Sequence, residues 1–357
     1  MKNSRKIGIL TFHRAHNYGA VWQCWALKKT CESFGCQVET IDYNPWGHYD
    51  AKWAIGHRPS VAYKFLKQLY QFNQFVDKRL NPSVHTESHD WIKNNHPQED
   101  IYIVGSDQVW ANDVVGEFLD SYLLDFVPNK YKRIAYAAST AGNPLELSEY
   151  QLEELRKFSA ISVRERQSIS DIQSKVNIQV TDVCDPTLLL KQEVFESIEQ
   201  KPLFLPKHYV AYFNLAGDLL CEESAKMVGK ILGLPVVNIA GKFRFWAKRN
   251  YPAPTPEQWL YILHHADHVV TNSFHGVALS IVFRRPFIYC EAQNAGHSKR
   301  IGRIQNVLMQ TNLMNRYAEN IKQVREIVNK RDVFYDEPSI EGYRSRSLEW
   351  LKNAIEL

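Results

Sequence analysis

A histidine lies at the junction between a strand-like run and a helix-like run, within residues 268–286. Residues 268–270 have the character of a buried strand end, and residues 274–283 have the apolar density of a helix that packs on a sheet. His275 and Gly276 therefore lie in the first turn of the predicted helix, where backbone N–H groups and the positive end of the dipole favour an anion. Gly276 has no side chain, so a ligand can approach the backbone closely. The same spacing also suits a connection in which His275 only packs or caps.

Two further residues with useful chemistry follow predicted strands. Residues 101–104 predict a buried strand, so Asp107 lies at a carboxyl end, where open α/β sheets bind ligands. An Asx-turn or a helix cap is an equally good interpretation of Asp107. Arg164 follows the predicted strand over residues 161–163. Its forked guanidinium suits a phosphate or a carboxylate ligand, whereas a salt bridge to a neighbouring carboxylate is the ordinary alternative.

Two histidine pairs have the i, i+4 spacing that brings side chains together on one helix face. They are His85 with His89 and His264 with His268. Either pair could hold a metal ion, but no third ligand follows at a recognisable spacing. We therefore predict that the protein needs no metal.

The chain that positions these residues has the composition of a globular protein with two domains. Its 357 residues exceed one ordinary hydrophobic core, and hydrophobic and charged residues make up 45% and 23% of the sequence. A net charge of +4 is small for this length and argues against nucleic-acid binding. Anionic small molecules remain compatible partners.

The cellular location predicted from the sequence is the cytoplasm. No apolar run approaches the ~20 residues that a membrane span needs, and residues 1–6 lead into a strand without a secretory signal. The six cysteines form no C-x-x-C pair, and several lie in apolar segments. We expect them to be reduced packing residues.

Alternating strand-like and helix-like runs predict the α/β fold class with parallel sheets. Residues 6–11, 20–34 and 37–41 predict a strand, a helix and a second strand, which together form a βαβ unit. This opening lacks the G-x-G-x-x-G pattern of dinucleotide binding. A polar, proline-containing stretch over residues 193–206 separates it from a second α/β half.

The predicted domain organisation follows from these runs. We expect an N-terminal Rossmann-like domain over residues 1–195 and a C-terminal Rossmann-like domain over residues 205–335. A C-terminal helix over residues 336–357 is expected to pack back on the first domain. A helical insertion near residues 44–97 interrupts the first domain.

Within that insertion, residues 60–80 predict a helix with an aromatic side and basic residues elsewhere. Such a helix suits peripheral contact with a membrane surface. A helix that packs on its own domain has the same pattern, and the pattern favours that interpretation.

Six short motifs, taken in order over nearly the whole chain, resemble those of the polysaccharide pyruvyl transferase family. They are Asn17-Tyr18-Gly19-Ala20, Gly105-Ser106-Asp107-Gln108-Val109-Trp110, Ser162-Val163-Arg164-Glu165, Asp185-Pro186-Thr187, Thr271-Asn272-Ser273-Phe274-His275-Gly276 and Arg303-Ile304. The resemblance implies two Rossmann-like domains facing a central cleft, similar to the GT-B glycosyltransferase architecture. It also implies an enzyme that transfers pyruvate from phosphoenolpyruvate to a saccharide as a cyclic ketal in surface polysaccharide biosynthesis.

The resemblance implies roles for individual residues. His275 is expected to protonate the methylene carbon of phosphoenolpyruvate, or to serve only as an anion ligand, since the helix end disfavours a cationic imidazole and a bound dianion favours it. Asp107 is expected to act as a base or to orient the acceptor. The expected donor-binding residues, on the C-terminal domain apart from one, are Arg164, Ser273, Phe274, Gly276, Arg303, Lys299 and Arg300. The expected acceptor-binding residues, on the N-terminal domain, are Asn17, Tyr18, Gln108 and Trp110.

One position departs from the family pattern. A branch of the family carries Asp-Arg-Leu-His where this chain has Asn272-Ser273-Phe274-His275. An arginine expected to hold the donor is therefore missing at Ser273, and Lys299 or Arg300 is expected to replace it. No cofactor is implied, because phosphoenolpyruvate is a co-substrate.

Two other functions fit the sequence. One is a glycosyltransferase of the same architecture that uses a nucleotide sugar, and the absence of a D-x-D triplet argues only mildly against it. The other is a non-catalytic saccharide-binding protein, which the departure at Ser273 supports. The expected partners of the enzyme are phosphoenolpyruvate and a saccharide acceptor. A lipid-linked acceptor would bring the protein to the inner face of the membrane.

Overall fold

The chain forms two compact units in the computed structural model. The first unit contains Met1–Leu189 and Arg344–Leu357, and the second contains Leu190–Tyr343. The stretch over residues 193–206, predicted to connect the domains, thus belongs to the second unit. The residues that the structure describes are 4–47, 59–215, 217–239, 241–291, 301–330 and 333–356.

A parallel six-stranded sheet is the centre of the first unit. Its strands are β1 Lys6–Leu10, β2 Gln37–Thr40, β3 Ile101–Asp107, β4 Lys132–Ala138, β5 Ala160–Val163 and β6 Val180–Asp182. They lie in the order β2-β1-β3-β4-β5-β6. Strands β1 and β3 are almost entirely buried, as expected for a parallel sheet that helices cover on both faces.

Some helices of the first unit begin at residues whose side chains satisfy a free N–H group. Asn17 caps the first helix by accepting a hydrogen bond from Gly19 N at 2.9 Å, and Ser148 forms a capping box with Gln151 at a later one. The helices are α1 Tyr18–Ser33, α2 Pro59–Arg79, α3 His89–Asn95, α4 Asn112–Val115, α5 Leu119–Tyr122, α6 Glu149–Arg156 and α7 Ile169–Gln173, with 3₁₀ turns at Gly116–Phe118, Arg166–Ser168 and Pro186–Leu188.

Helix α2, predicted from the insertion, packs on its own unit. Phe72 lies 5.0 Å from Tyr18 and Phe75 lies 5.0 Å from Trp22, measured between ring centroids. The opposite side of α2 exposes aromatic residues, among them Tyr63. No helix in the described part of the chain is both long enough and apolar enough to cross a membrane.

The second unit is built on another parallel six-stranded sheet. Its strands are β7 Val210–Phe213, β8 Val236–Ile239, β9 Arg249–Tyr251, β10 His268–Thr271, β11 Phe287–Cys290 and β12 Tyr317–Ala318. They lie in the order β12-β11-β10-β7-β8-β9. The helices are α8 Gln192–Glu196, α9 Leu219–Leu232, α10 Pro256–His264, α11 Phe274–Val282, α12 Ile301–Gln310, α13 Ile321–Asn329 and α14 Glu337–Glu356, with a 3₁₀ turn at Met314–Arg316.

Helix α14 belongs to the first unit from Arg344 onward. Arg344 Nε donates to the Leu188 carbonyl oxygen at 2.7 Å, and Cys184 N donates to Ser347 Oγ at 2.9 Å. These buried contacts fix the end of the chain beside the strand ends of the first sheet.

Each sheet has one point where the strand order reverses direction. In the first unit the reversal lies between β1 and β3, and in the second unit it lies between β7 and β10. In open α/β sheets, ligands bind at the carboxyl ends of the strands beside such a point. The two strand orders therefore mark one candidate binding edge in each unit and confirm two Rossmann-like domains.

Candidate active site

In the second unit, the connection from β10 to α11 is held by hydroxyl groups. Thr271 Oγ1 donates to the Phe213 carbonyl oxygen at 2.8 Å and accepts a hydrogen bond from Ser273 N at 3.0 Å. Ser273 is the N-cap of α11 and accepts from Gly276 N at 3.4 Å. The first turn of α11 is thereby fixed at the carboxyl end of β10, as the sequence predicted.

Asn272 joins the two strands that flank the reversal point. Its side-chain oxygen accepts from Leu215 N at 2.8 Å, and its amide nitrogen donates to Asn214 Oδ1 at 2.7 Å. Because residues 214 and 215 directly follow β7, these bonds connect the carboxyl ends of β7 and β10. The connection is rigid without any charged side chain.

His275 occupies the first turn of α11. It is 7% exposed, and its ring lies 5.1 Å from the ring of Phe274, which is 8% exposed. The backbone dipole of this nine-residue helix points its positive end at the edge where His275 lies. A small anion bound at this edge would contact the imidazole and the first-turn backbone together.

The structure requires glycine at position 276 for a reason different from the predicted one. A Cβ atom added to it would lie 2.7 Å from Thr271 Oγ1. The space beside its Cα is thus filled by Thr271, whereas the sequence predicted an open approach for a ligand. Glycine at this position allows α11 to pack closely against β10.

Arg303 lies on α12 beside the next strand of the sheet. Burial raises the pKa of the Tyr289 phenol, and the positive charge of Arg303 opposes that rise, so the two side chains lie close together. Tyr289 pairs in register with Thr271. The helix that carries Arg303, α12, also packs against α11, which carries His275. The other two basic candidates, Lys299 and Arg300, lie outside the described residues.

In the first unit, β3 ends in an unusual backbone conformation. Gly105 has a φ of +145°, and an added Cβ would lie 2.0 Å from the Tyr136 carbonyl oxygen. Asp107 has a φ of +72°, in a region that Asp tolerates better than most residues. Backbone strain of this kind is often found at functional sites, and here it positions Asp107 at the reversal point.

Arg164 lies among carboxylates in the same edge. Its Nη1 is 3.1 Å from Asp185 Oδ2, its Nη2 is 3.5 Å from Asp107 Oδ1, and Ser106 Oγ donates to Asp185 at 3.0 Å. Burial disfavours the charge of Arg164, but Asp107 and Asp185 outweigh burial and raise the pKa of the guanidinium. Arg164 thus orients Asp107. Sequence reasoning missed Asp185 as a site residue, although its Asp-Pro-Thr motif was visible.

The residues predicted to bind the acceptor have other contacts in this structure. Asn17 caps α1. Tyr18 is 3% exposed, and Trp110 is fully buried with its Nε1 donating to the Tyr122 carbonyl oxygen at 3.0 Å. Gln108 is also buried. A saccharide cannot reach the rings of Tyr18 and Trp110 in this conformation, because both belong to the core.

A second polar network at this edge was not predicted. Asp42, which follows β2, accepts hydrogen bonds from His13 Nε2 at 2.9 Å, from Arg14 Nε and Nη2 at 2.6 Å each, and from His85 Nδ1 at 3.1 Å. Burial opposes the charge on Asp42, but the hydrogen bonds from Arg14, His13 and His85 hold the pKa of its carboxyl well below the ordinary value. We call these four residues the Asp42 network.

The two histidine pairs noted in the sequence do not form paired ligand sets. His85 belongs to the Asp42 network, whereas His89 contacts Ser121 Oγ at 2.6 Å. His264 contacts Glu199 at 2.8 Å, and His268 is buried elsewhere at the start of β10.

In the part of the chain that the structure describes, one group of side chains has the spacing of metal ligands. It consists of Glu199, His264 and His265, whose ligand atoms lie within 4.8 Å of one another. Direct hydrogen bonds from both histidines to the carboxylate, at 2.8 and 2.7 Å, account for this grouping. The group lies at the amino end of β10, away from the edge that carries His275.

The fold and its two binding edges define a class of two-domain α/β proteins with known members. Arabidopsis thaliana UGT89C1 is similar over 99% of this chain and 98% of its own, with a TM-score of 0.52 and 11% sequence identity. Methanocaldococcus jannaschii UDP-GlcNAc 2-epimerase is similar over 98% of this chain and 99% of its own, with a TM-score of 0.51 and 12% identity. These likenesses confirm the predicted fold class, similar to the GT-B architecture, and carry no information on the reaction.

The family is established by the sequence itself. The model of the polysaccharide pyruvyl transferase family matches residues 17–294, which is more than half of the chain. This protein belongs to that family, which is one of transferases, and its acceptor is a saccharide. Among curated proteins, none matches the sequence.

Proposed function

We propose that this protein transfers pyruvate from phosphoenolpyruvate to a saccharide as a cyclic ketal in surface polysaccharide biosynthesis. The observation that supports this most strongly is the position of the family motifs. The motif that contains His275 begins at the last residue of β10, and the motif that contains Asp107 begins within the last residues of β3, so each lies at a strand end beside the reversal point of its sheet.

The second unit is the proposed donor side. Phosphoenolpyruvate carries a phosphate and a carboxylate, which suit the positive end of α11 and a forked arginine. The first turn of α11, which Ser273 caps and which contains Phe274 and Gly276, would face the donor, and Arg303 would neutralise one anionic group. Lys299 or Arg300 would supply the charge that the family arginine provides at the position of Ser273.

The first chemical step is addition of an acceptor hydroxyl to the donor. His275, as an acid, gives a proton to the methylene carbon of phosphoenolpyruvate, so that the central carbon becomes electrophilic. The hydroxyl oxygen bonds to that carbon, and its proton passes to Asp107. The product of this step is a tetrahedral carbon that still carries the phosphate group.

Closure of the ketal is the second step. A second hydroxyl of the same sugar bonds to the central carbon while the bond from that carbon to the phosphate oxygen breaks. Inorganic phosphate leaves with the proton of the second hydroxyl, and exchange with solvent returns a proton to His275 and removes one from Asp107. One acceptor diol and one phosphoenolpyruvate thus give one cyclic ketal and one phosphate, with no cofactor required by the balance.

Arg164 takes a different part in this proposal from the one expected from the sequence. Its contacts with Asp107 and Asp185 suit a positioning residue that holds the Asp107 carboxylate in its orientation. Asp107 would then accept a proton or orient the acceptor hydroxyl. A lipid-linked acceptor at the inner face of the membrane is part of the same proposal.

The experiment that tests the proposed function measures phosphate release from phosphoenolpyruvate with a panel of oligosaccharides, together with the mass of the saccharide product. Wild-type protein is expected to release phosphate only when an acceptor is present and to yield a pyruvylated sugar. His275→Ala should lower turnover by about 10²–10⁴-fold while the protein stays folded. His208→Ala, which changes an exposed histidine elsewhere in the second unit, is the matched control. Turnover retained in His275→Ala would remove His275 from the acid role.

A glycosyltransferase that uses a nucleotide sugar is the second candidate. It is compatible with fold neighbours solved with UDP-L-rhamnose, with a TM-score of 0.50, and with UDP-GlcNAc. Saturable binding of a UDP-sugar, with no response to phosphoenolpyruvate, would select it. Phosphate release that depends on phosphoenolpyruvate would exclude both this candidate and a non-catalytic saccharide-binding protein.

A further inference from the structure

A pocket of about 380 Å³ lies in the first unit beside the Asp42 network. Side chains from α2 form one wall, and His85 and Arg14 form another. Its lining includes Arg14, Leu66, Leu69, Asn73, Asp77 and His85. We call this cavity the His85 pocket.

The His85 pocket is at the strand edge that carries Asp107. Asp42 follows β2 and His13 follows β1, so with the order β2-β1-β3 the two aspartates are two strand spacings, about 10 Å, apart. A chain of hydrogen bonds runs from Asp42 to Ser106, the residue before Asp107. Thr11 Oγ1 donates to the Ser106 carbonyl oxygen at 3.0 Å, His13 Nδ1 lies 2.9 Å from the Thr11 carbonyl oxygen, and His13 Nε2 contacts Asp42. The pocket is thereby fixed relative to Asp107.

The polar wall of the pocket offers hydrogen-bond acceptors and a donor. The His85 side chain is 45% exposed, and its Nδ1 lies 3.1 Å from Asp42 Oδ1, so Nδ1 donates to that carboxylate and Nε2 is left to bond a ligand hydroxyl. The Asp77 side chain is 58% exposed and offers carboxylate oxygens. Asn73 Oδ1 already accepts from Arg14 at 2.9 Å, which leaves its amide N–H groups to donate.

This chemistry suits hydroxyl groups better than an anion. The Arg14 guanidinium is committed to Asp42, Asn73 and Asp77, at distances of 2.6 to 3.2 Å. A phosphate or a carboxylate would therefore meet Asp77 while the nearby guanidinium is already balanced by carboxylates. Sugar hydroxyls both donate and accept, and they match the mixed wall.

The lining also contains an apolar part. Leu66 and Leu69 of α2 form it, and Leu66 is 48% exposed. Aliphatic surface beside hydrogen-bonding groups is what a pyranose ring requires, because its C–H face is apolar while its edge is polar. The pocket therefore combines both surfaces that a sugar presents.

We infer that the His85 pocket binds an uncharged sugar residue of the acceptor saccharide, adjacent to the residue that receives pyruvate at Asp107. This inference rests on the proposed function, because it takes Asp107 as the acceptor end. It assigns the choice of saccharide to residues of α2 and to His85, which the Asp42 network holds in place.

Binding of disaccharides and monosaccharides in the absence of phosphoenolpyruvate tests the inference. The probes are cellobiose against glucose, lactose against galactose, and chitobiose against N-acetylglucosamine, measured by saturation-transfer NMR and calorimetry. Wild-type protein should bind at least one disaccharide about tenfold more tightly than its monosaccharide, which is about 1.4 kcal/mol. The advantage should disappear in His85→Ala and in Asp77→Ala.

His208→Ala is the matched control, because His208 Nδ1 lies 3.1 Å from Asp267 just as His85 Nδ1 lies 3.1 Å from Asp42. Circular dichroism should show that all variants are folded. The inference is overturned if no disaccharide has an advantage in the wild type, or if the advantage persists in both variants. Since no donor is present, failure here is distinct from failure of phosphate release, which tests the proposed function.

Discussion

The two units carry different kinds of polar groups at the carboxyl ends of their strands, which we call the first edge and the second edge. The edge of the first unit is rich in charges that neutralise one another, with Arg164 between Asp107 and Asp185 and with Arg14 against Asp42. The edge of the second unit is joined by neutral groups, chiefly Thr271, Asn272 and Ser273, around the start of α11.

The difference suggests a division of labour between the units. A buried charge is tolerated when its partner lies beside it. At the first edge Arg164 and Arg14 face three carboxylates, those of Asp107, Asp185 and Asp42, so this edge disfavours an anionic ligand. At the second edge the helix dipole is balanced by no acidic side chain in the first turn of α11, and an anionic ligand would supply that balance. This contrast agrees with a saccharide at the first unit and phosphoenolpyruvate at the second.

The largest expected effect is on the free energy of unfolding, when Arg164 is removed from the first edge. Arg164→Ala should lower the free energy of unfolding by about 3–5 kcal/mol, because it leaves Asp107 and Asp185 without the cation between them. Arg166→Ala is the control, since Arg166 is 68% exposed and contacts Asp182 at 3.3 Å, and should cost less than about 1 kcal/mol. Urea unfolding of both variants measures the two values.

A stable Arg164→Ala protein that no longer binds phosphoenolpyruvate would reverse this interpretation. Arg164 would then be a donor ligand, as the sequence resemblance implied. Its charge would be needed for phosphoenolpyruvate and not for the neighbouring aspartates. The comparison between the edges depends on the stability result and not on activity alone.

The second prediction concerns the pH range over which each unit loses stability. His268, at the start of β10, is 6% exposed, and burial lowers its pKa to about 4. Between pH ~6.5 and ~4 the unfolded chain therefore binds more protons at this residue, so stability should fall by about 3 kcal/mol as the pH falls through this window. The pKa of Asp42 in the first unit is also lowered, but that contribution is lost only below the ordinary aspartate pKa of ~3.9.

Urea unfolding at pH 7 and pH 5 measures this contrast. In His268→Leu the part of the pH dependence that arises from this histidine should disappear, whereas His208→Leu, which changes an exposed histidine, should keep the wild-type slope. If the free energy of unfolding of His268→Leu has the same pH dependence as that of the wild type, His268 does not make the second unit more sensitive to acid than the first.

The elements around both edges were predictable because their signals are local. The strands before Asp107 and His275 are short apolar runs followed by glycine or capping residues, and the structure confirms both as β3 and β10. Helix α2 was also predicted, within one residue at each end. Strand β9 was missed, because three residues with basic and aromatic side chains do not differ from a loop in the sequence.

The contacts at the edges were not predictable, since they join residues far apart in the chain. Asp42 and His85 are 43 positions apart, and the parallel bridges from Thr40 to Pro82 and from Tyr43 to Thr86 bring them together. Trp110 lies in a recognisable motif, yet its burial depends on Phe158 and Tyr122. A motif therefore identified the edge, whereas it did not distinguish residues that face a ligand from residues that pack beneath it.

The smallest expected effect is on the affinity for phosphoenolpyruvate, when Arg303 is changed at the second edge. Arg303 is half-buried on α12 near Tyr289, and a guanidinium there would add one charge-assisted contact to an anion already held by α11. Arg303→Gln should weaken phosphoenolpyruvate binding about tenfold, or about 1.4 kcal/mol, in calorimetric titrations. Arg325→Gln, an exposed change on α13, should leave affinity unaltered. Equal affinity in both variants would mean that the helix end and its neighbours hold the donor without Arg303, and the neutral character of the second edge would then extend to its whole donor site.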